Sequence, residues 1–286
     1  MPQPLDILLP AAVSLAILLI AWRAWGAKNV VGRWGGPLAF AAGFLCMYKP
    51  ITGAWPTLPP NGATGWIFYI AIIAALFGLR NALTNTRFRW IGLVVVLGGC
   101  FRLFLRGQWS VTDTRNMAIV WIAAFTIIAT AWSLTLEQIP TERIVSPLVM
   151  FMTALASAAL LMMSHSVVYA RLAAALAGAV VPTVALAIWR KRFDLRGSTI
   201  VFSAVLGAML IGGNFFADLT LWSVALISVA PFALLIARAP IVRRRRAWMR
   251  GLICLLVAAL PLILAVAIAL PEFLRSMSDE AGGYGQ

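Results

Sequence analysis

The chain has 286 residues, of which 62% are hydrophobic and 11% are charged, and its mean hydropathy is +0.94. Soluble domains average about half apolar and a quarter charged residues, so this composition excludes a soluble globular protein. The net charge of +14 does not indicate nucleic-acid binding, because the basic residues lie in short segments between apolar stretches. We therefore expect an all-α integral membrane protein whose main partner is the lipid bilayer.

Ten apolar stretches match, fully or nearly, the length of about 20 residues that crosses a bilayer as a helix. In chain order they lie near 5–25, 34–48, 64–80, 88–106, 117–136, 145–164, 166–189, 198–216, 219–237 and 247–270. They predict a polytopic helical bundle that forms one transmembrane domain over residues 1–286, with no soluble domain. The second stretch is the weakest, because only Pro37 to Tyr48 is free of charge. The alternative for it is a re-entrant or half helix.

The distribution of basic residues predicts the orientation. With ten spans and the N-terminus outside, 17 of the 23 lysines and arginines fall in the inner loops, including the run Arg243–Arg246. This is the positive-inside pattern, and its strength suggests a bacterial inner membrane with both termini outside. A nine-span alternative with the N-terminus inside leaves Arg23, Lys28 and Arg33 on the wrong side. We interpret Arg243–Arg246 as a topology anchor that contacts anionic headgroups rather than DNA.

Two segments of the chain resemble each other in the spacing of arginine and tryptophan. Trp90 follows Arg80 by ten residues and Trp248 follows Arg238 by ten residues, and a Gly-Leu pair comes soon after each tryptophan. This spacing predicts a parallel 4+2+4 repeat, in which the first four spans match the last four. The alternatives are a five-plus-five inverted repeat, or no repeat, since arginine and tryptophan both favour membrane edges.

Three prolines, Pro182, Pro231 and Pro261, fall in the middle of the seventh, ninth and tenth spans. Proline removes a backbone N–H and clashes with the preceding turn, so each is expected to kink its helix. Kinks are common in membrane helices, and a gating hinge is only one interpretation of them.

The sequence offers no constellation for catalysis. All nine acidic residues lie at span ends, in loops or in the tail, so none is expected near the bilayer midplane. The single histidine, His165, stands between Ser164 and Ser166, but adjacent side chains diverge and do not make a nucleophile–base pair. The chain contains no GxSxG or Walker sequence and no cluster of metal ligands. We therefore predict no enzyme activity, no catalytic residues, no metal and no cofactor.

Arg102, Arg106 and Arg171 are basic residues on the predicted outer side, against the prevailing distribution of charge. Because Arg102 and Arg106 are four residues apart, we expect them on one helix face. One interpretation is that the three side chains extend to outer-leaflet phosphates, or that Asp113 or Asp218 neutralises them.

The other interpretation is that these arginines bind a ligand. Arg102 and Arg171 would turn inward and, with Arg106, form an anion site, because the guanidinium fork donates two parallel hydrogen bonds to a carboxylate or phosphate. His165 and Trp109 would line its mouth. The corresponding function is a transporter-like or solute-binding protein with an outward-facing cationic site for a small anionic solute or a lipid headgroup. The alternative is a non-catalytic structural or assembly subunit that packs against a membrane protein partner. An integral enzyme is a third, more distant alternative.

Overall fold

The computed structural model describes residues 3–25, 30–83, 89–106, 112–138, 144–190, 195 and 197–283. Every regular element within these ranges is helical. They are α1 Leu5–Trp25, α2 Val30–Cys46, α3 Tyr48–Thr52, α4 Ala63–Leu83, α5 Arg89–Phe104, α6 Thr112–Gln138, α7 Val145–Met163, α8 Val167–Arg190, α9 Ser198–Phe216, α10 Leu221–Val229, the 3₁₀ helix Ala230–Arg238, α11 Pro240–Arg243 and α12 Ala247–Gly283.

The helices are those of a multi-pass membrane protein. In the described part of the chain, seven helices are long and apolar enough to cross a bilayer, and α1 and α5 contain the shorter apolar segments Leu5–Ala21 and Trp90–Phe104. Helices occupy all ten predicted stretches in order, but the count of ten crossings is not confirmed. An α-helix satisfies its own backbone hydrogen bonds, which is why apolar segments of this length are helical in lipid.

The second predicted span forms α2, which has 17 residues. The helix begins at Val30, before Arg33, so it is longer than the charge-free stretch alone. At 1.5 Å per residue its length is about 25 Å, which is less than the hydrocarbon core of about 30 Å. Met47 separates it from the short helix α3.

Contacts between helices define the two ends of the bundle. At one end Asp6 of α1 contacts Arg171 of α8, and at the other Glu137 of α6 contacts Thr199 of α9. The first is called the N-terminal end below. The second is called the basic end, because Arg243–Arg246 lie in the loop between the 3₁₀ helix and α12 at that end.

Helix α9 forms the centre of the bundle, since every residue from Ser198 to Gly213 is buried. It packs mainly on α4, α6 and α2. Helices α1, α2, α7 and α8 pack together beside it, and α12 lies against α7, α10 and the 3₁₀ helix. Much of α12 is exposed, as expected for a helix whose apolar side chains contact lipid tails.

Pro231 lies where the ninth predicted span changes from an α-helix to a 3₁₀ helix. The α-helix ends at Val229, and the chain continues as the 3₁₀ helix with Pro231 in its first turn. In 3₁₀ bonding the carbonyl of Ser228 would accept from residue 231, but proline has no N–H. Trp132 of α6, which is fully buried, supplies the donor instead: its Nε1 donates to the Ser228 carbonyl at 2.9 Å. Pro182 and Pro261 lie inside the continuous helices α8 and α12.

Glu137 at the end of α6 caps the start of α9. Its Oε1 accepts from the Gly197 backbone N–H at 3.1 Å and from Thr199 Oγ1 at 2.7 Å. The first N–H groups of a helix have no partner within the helix and carry partial positive charge, so a carboxylate stabilises them. Gly197 has a φ of 81° and lies against the backbone of Gly78, which leaves no room for a side chain.

The parallel 4+2+4 repeat is not confirmed. Helix α1 packs mainly on α2 and α8, whereas α8, its proposed counterpart, packs mainly on α7 and α1 and less on α9. In the proposed repeat, α2 corresponds to α9 and α4 corresponds to α10. Helix α2 packs well on α4, but α9 packs only slightly on α10. The two quartets therefore differ in packing order, which favours the alternative that arginine and tryptophan share a spacing because both prefer membrane edges.

Candidate functional site

Arg171, a predicted ligand-binding residue, is bound to Asp6. Its Nε donates to Asp6 Oδ2 and its Nη2 donates to Asp6 Oδ1, both at 2.9 Å. The Asp6 side chain is fully buried and that of Arg171 is 22% exposed. The predicted neutralising group for this arginine, Asp113 or Asp218, is therefore wrong, and one edge of the guanidinium fork is already occupied by a carboxylate of the same chain.

The Asp6–Arg171 pair forms because α1 and α8 approach closely. A Cβ at Gly178 of α8 would collide with the backbone carbonyl of Ile7 in α1, so only glycine permits this packing. Asp6 lies in the first turn of α1 and also accepts from the Gln3 backbone N–H at 2.8 Å. The buried carboxylate thus has three donors, which offsets the cost of removing its charge from water.

Arg102 and Arg106, the other two predicted ligand-binding arginines, have exposed side chains. Helix α5 ends at Phe104, so Arg106 follows the helix and does not share one helical face with Arg102 as predicted. Phe101 and Phe104 point into the core, with 0% and 2% of their surface exposed, while Arg102 between them points outward. A shared anion site of Arg102 and Arg171 stays a prediction. Trp109 lies outside the described residues.

A cavity of about 160 Å³ opens at the N-terminal end, and we call it the end cavity. The α7–α8 turn, the α9–α10 turn and the last part of α12 enclose it. Its ionisable lining residues are His165, Asp218 and Glu272, and its hydroxyl-bearing lining residues are Ser164, Thr220, Ser223 and Ser276. Of the predicted site residues, His165 lines this cavity, whereas Arg102, Arg106 and Arg171 do not.

Backbone turns fix two of these residues at the rim. His165 and Asp218 both have positive φ angles, 60° and 49°, and each follows the end of a helix. In the α7–α8 turn, the Ser166 N–H donates to the Leu161 carbonyl at 3.0 Å, which is the bonding expected when a left-handed residue ends a helix. Histidine and aspartate tolerate this conformation better than most residues, and the turn holds their side chains beside the cavity.

The second turn is held by side-chain hydrogen bonds. Thr220 Oγ1 accepts from the Ser223 N–H at 3.4 Å and so caps the start of α10. Its oxygen also lies 2.9 Å from Ser223 Oγ. Asn214 Nδ2 donates to the Leu219 carbonyl at 2.8 Å. These contacts brace the loop that carries Asp218.

The end cavity is acidic in character. Two carboxylates and one imidazole line it, and all three side chains are exposed. Such a lining accepts hydrogen bonds and favours a positively charged or donor-rich solute over an anion. Arg275 lies three residues after Glu272, is exposed and is not among the lining residues. Within the described ranges no group of three or more His, Cys, Asp and Glu residues is close enough to hold a metal ion.

Of the three ionisable residues that line the end cavity, only His165 is a site residue predicted from the sequence. Asp218 and Glu272 each lie at a span end, which the sequence shows, and the alternation of helix direction places them at the same end as His165. The sequence does not show that α7, α10 and α12 are lateral neighbours, and this adjacency is what brings the three side chains to one cavity. No known protein family, curated protein or solved structure matches this chain.

Proposed function

We propose that the protein is a transporter-like, solute-binding membrane protein whose solute enters the end cavity from the side of the membrane opposite the basic loops. The observation that supports this is the cavity itself: it opens at one end of the bundle and collects polar side chains from three separate parts of the chain. By the positive-inside rule the basic end faces the cytoplasm, so the end cavity faces outward.

The volume of the cavity limits its ligand. A cavity of about 150 Å³ in an apolar protein core accommodates benzene, so the end cavity accepts a solute on the order of six to nine heavy atoms. Asp218 and Glu272 on its lining favour a solute with a positive charge or several donors. This differs from the anionic solute predicted from the sequence, because Arg171 is engaged by Asp6 and Arg102 points outward.

A set of matched probes tests the proposal. Benzylamine, benzyl alcohol and benzoate have similar size and differ in charge, and each is added to the purified protein in detergent while thermal unfolding is followed. We expect benzylamine to raise the unfolding temperature and benzoate to leave it unchanged. At a concentration one hundred times Kd the stabilisation is about 2.7 kcal/mol. The double variant Asp218→Asn, Glu272→Gln should lose this response, whereas the control Arg275→Gln should keep it.

Two further measurements are the accessibility of the end cavity from outside the cell and the uptake of benzylamine into proteoliposomes. Ser276→Cys places a thiol at the cavity, and we expect a membrane-impermeant maleimide to label it in intact cells and benzylamine to protect it. The native Cys100 and Cys254 are buried, and the unsubstituted protein measures the background of all three native cysteines. Uptake of benzylamine into proteoliposomes then distinguishes transport from binding alone. A protein that binds none of the three probes contradicts the proposal.

The second candidate function is a non-catalytic subunit of a membrane complex. The long apolar helix α12 supports it, because Leu256, Leu260 and Ile263 are 61%, 68% and 66% exposed. Lipid tails cover such a face equally well. A membrane protein that co-purifies in stoichiometric amount and blocks labelling of Ser276→Cys would favour the subunit over the solute-binding protein.

A further inference from the structure

The loop at the basic end carries a dense positive charge without acidic neighbours in the chain. Six arginines fall between residues 238 and 250, and the four consecutive residues Arg243–Arg246 all have exposed side chains. The sequence contains no aspartate or glutamate between Asp218 and Glu272. The four side chains of Arg243–Arg246, on which the proposal below depends, therefore have no carboxylate beside them along their own segment.

The loop is an ordered turn rather than an extended tail. Val242 in α11 is 9% exposed and holds the segment against the bundle. The Arg243 N–H donates to the Ala239 carbonyl at 2.8 Å, and the Arg245 N–H donates to the Val242 carbonyl at 3.0 Å. The four guanidinium groups thus extend from a fixed backbone, which reduces the entropy lost when they bind a ligand.

Exposed tryptophans place this loop at the level of lipid headgroups. Trp90, Trp189 and Trp248 are 54%, 65% and 65% exposed and lie near the basic end on three different helices. Indole rings prefer the membrane–water interface. Trp248 follows Arg246 by only two residues, so the arginine run lies where phosphates of the inner leaflet are within reach.

We propose that Arg243–Arg246 form a binding surface for the phosphate groups of anionic lipids, with a preference for a headgroup that carries two phosphates over one that carries one. Each guanidinium donates two parallel hydrogen bonds to a phosphate, and four adjacent side chains have the capacity to engage two phosphates together. A lipid is favoured over free phosphate because the acyl chains hold it beside the loop. At the same end, the carboxylate of Glu137 is engaged by Gly197 and Thr199; Glu142 and Asp194 lie outside the described residues.

The test compares retained lipids. The purified protein is equilibrated with mixed micelles of diphosphatidylglycerol and phosphatidylglycerol at equal phosphate, and native mass spectrometry counts the lipids that remain bound. We expect the two-phosphate lipid to be retained about five-fold or more over the other, since each additional arginine–phosphate contact near the surface contributes about that factor. Arg244→Gln should lower this retention, whereas Arg275→Gln, at the opposite end, should not.

Two further arms make the outcome decisive. Replacement of Arg243–Arg246 by four lysines keeps the charge and the topology signal, so the variant should still retain anionic lipid but lose the preference for two phosphates. Inorganic phosphate at millimolar concentration should compete weakly with the lipid. Equal retention of both lipids by the native protein, or unchanged retention in Arg244→Gln, would overturn the proposal. So would binding of inorganic phosphate as strong as that of the lipid.

Discussion

The carboxylate of Asp6 and the guanidinium of Arg171 form a bidentate ion pair, with both N–O distances at 2.9 Å, between the first turn of α1 and the first turns of α8. The two partners differ in environment: Asp6 is fully buried, whereas Arg171 is 22% exposed. A buried charge that loses its partner cannot regain water, while a partly exposed one does so in part. The pair is therefore expected to respond asymmetrically to substitution.

Arg171→Gln should destabilise the protein more than Asp6→Asn. The first change leaves a buried carboxylate without its cation, at a cost of about 3–5 kcal/mol. The second leaves a partly exposed arginine and a neutral amide that still accepts a hydrogen bond, at a cost of about 1–3 kcal/mol. Denaturant unfolding in detergent measures both values, with Arg106→Gln as the surface control. Equal losses of unfolding free energy in the two variants would show that the burial of Asp6 does not determine how much the ion pair stabilises the protein.

Trp132→Phe should destabilise the protein, because it removes the donor to the Ser228 carbonyl. An unsatisfied buried carbonyl costs about 1–3 kcal/mol. Pro231→Ala restores an N–H at residue 231, so the double variant should be less destabilised than the sum of the two single changes. Thermal unfolding of the three variants gives the coupling energy. Simple additivity would contradict the assignment of Trp132 as the substitute donor.

Gly197→Ala should cost more than Gly53→Ala, although the two glycines have nearly the same φ angle, 81° and 83°. A Cβ at Gly53 meets open space, so that variant has only the strain of the left-handed conformation, about 1–2 kcal/mol. A Cβ at Gly197 would also collide with the backbone of Gly78, which adds about 1–3 kcal/mol. The difference in unfolding free energy between the two variants measures the collision alone.

The orientation predicted from the charges has a direct test. A reporter that matures only in the cytoplasm should remain dark when it is fused after Gln286 and should become bright when it is inserted after Arg244. The pattern follows from the 17 basic residues assigned to the inner side. With the N-terminus outside, a bright C-terminal fusion would mean an odd number of crossings, and α2, which has only 17 residues, would be the first helix to reassign.

The positions of the helices follow from the sequence because lipid imposes a minimum length and requires every backbone group to be satisfied locally. Thus the stretch 145–164 becomes Val145–Met163, and 198–216 becomes Ser198–Phe216. The structure of the ninth span is harder to predict from the sequence. The sequence locates Pro231, but it does not indicate that a 3₁₀ helix and a hydrogen bond from Trp132 accommodate this proline. A kink and a change of helix type have the same local signal in the sequence, and the residue that donates to the Ser228 carbonyl, Trp132, lies 96 positions away along the chain.

The candidate site is harder to predict from the sequence than the helices are, because only the lateral packing of the helices brings its residues together. Arg171 and His165 are six residues apart, yet one contacts Asp6 and the other lies on the end cavity with Asp218 and Glu272. The sequence gives the membrane level of each residue through its place in a span. It does not give the neighbours of α8 around the bundle, and these determine whether an arginine is available to a ligand.

The ion pair between Asp6 and Arg171 also has a consequence for biogenesis, because its partners are 165 residues apart. The ribosome delivers α1 first, and Asp6 then has no cation to pair with until α8 has been synthesised and inserted. A lone carboxylate is costly in hydrocarbon, so the nascent α1 keeps Asp6 at the aqueous boundary during this interval. We therefore expect the final docking of α1 to be a late event in insertion, completed only after the chain has been translated past Arg171.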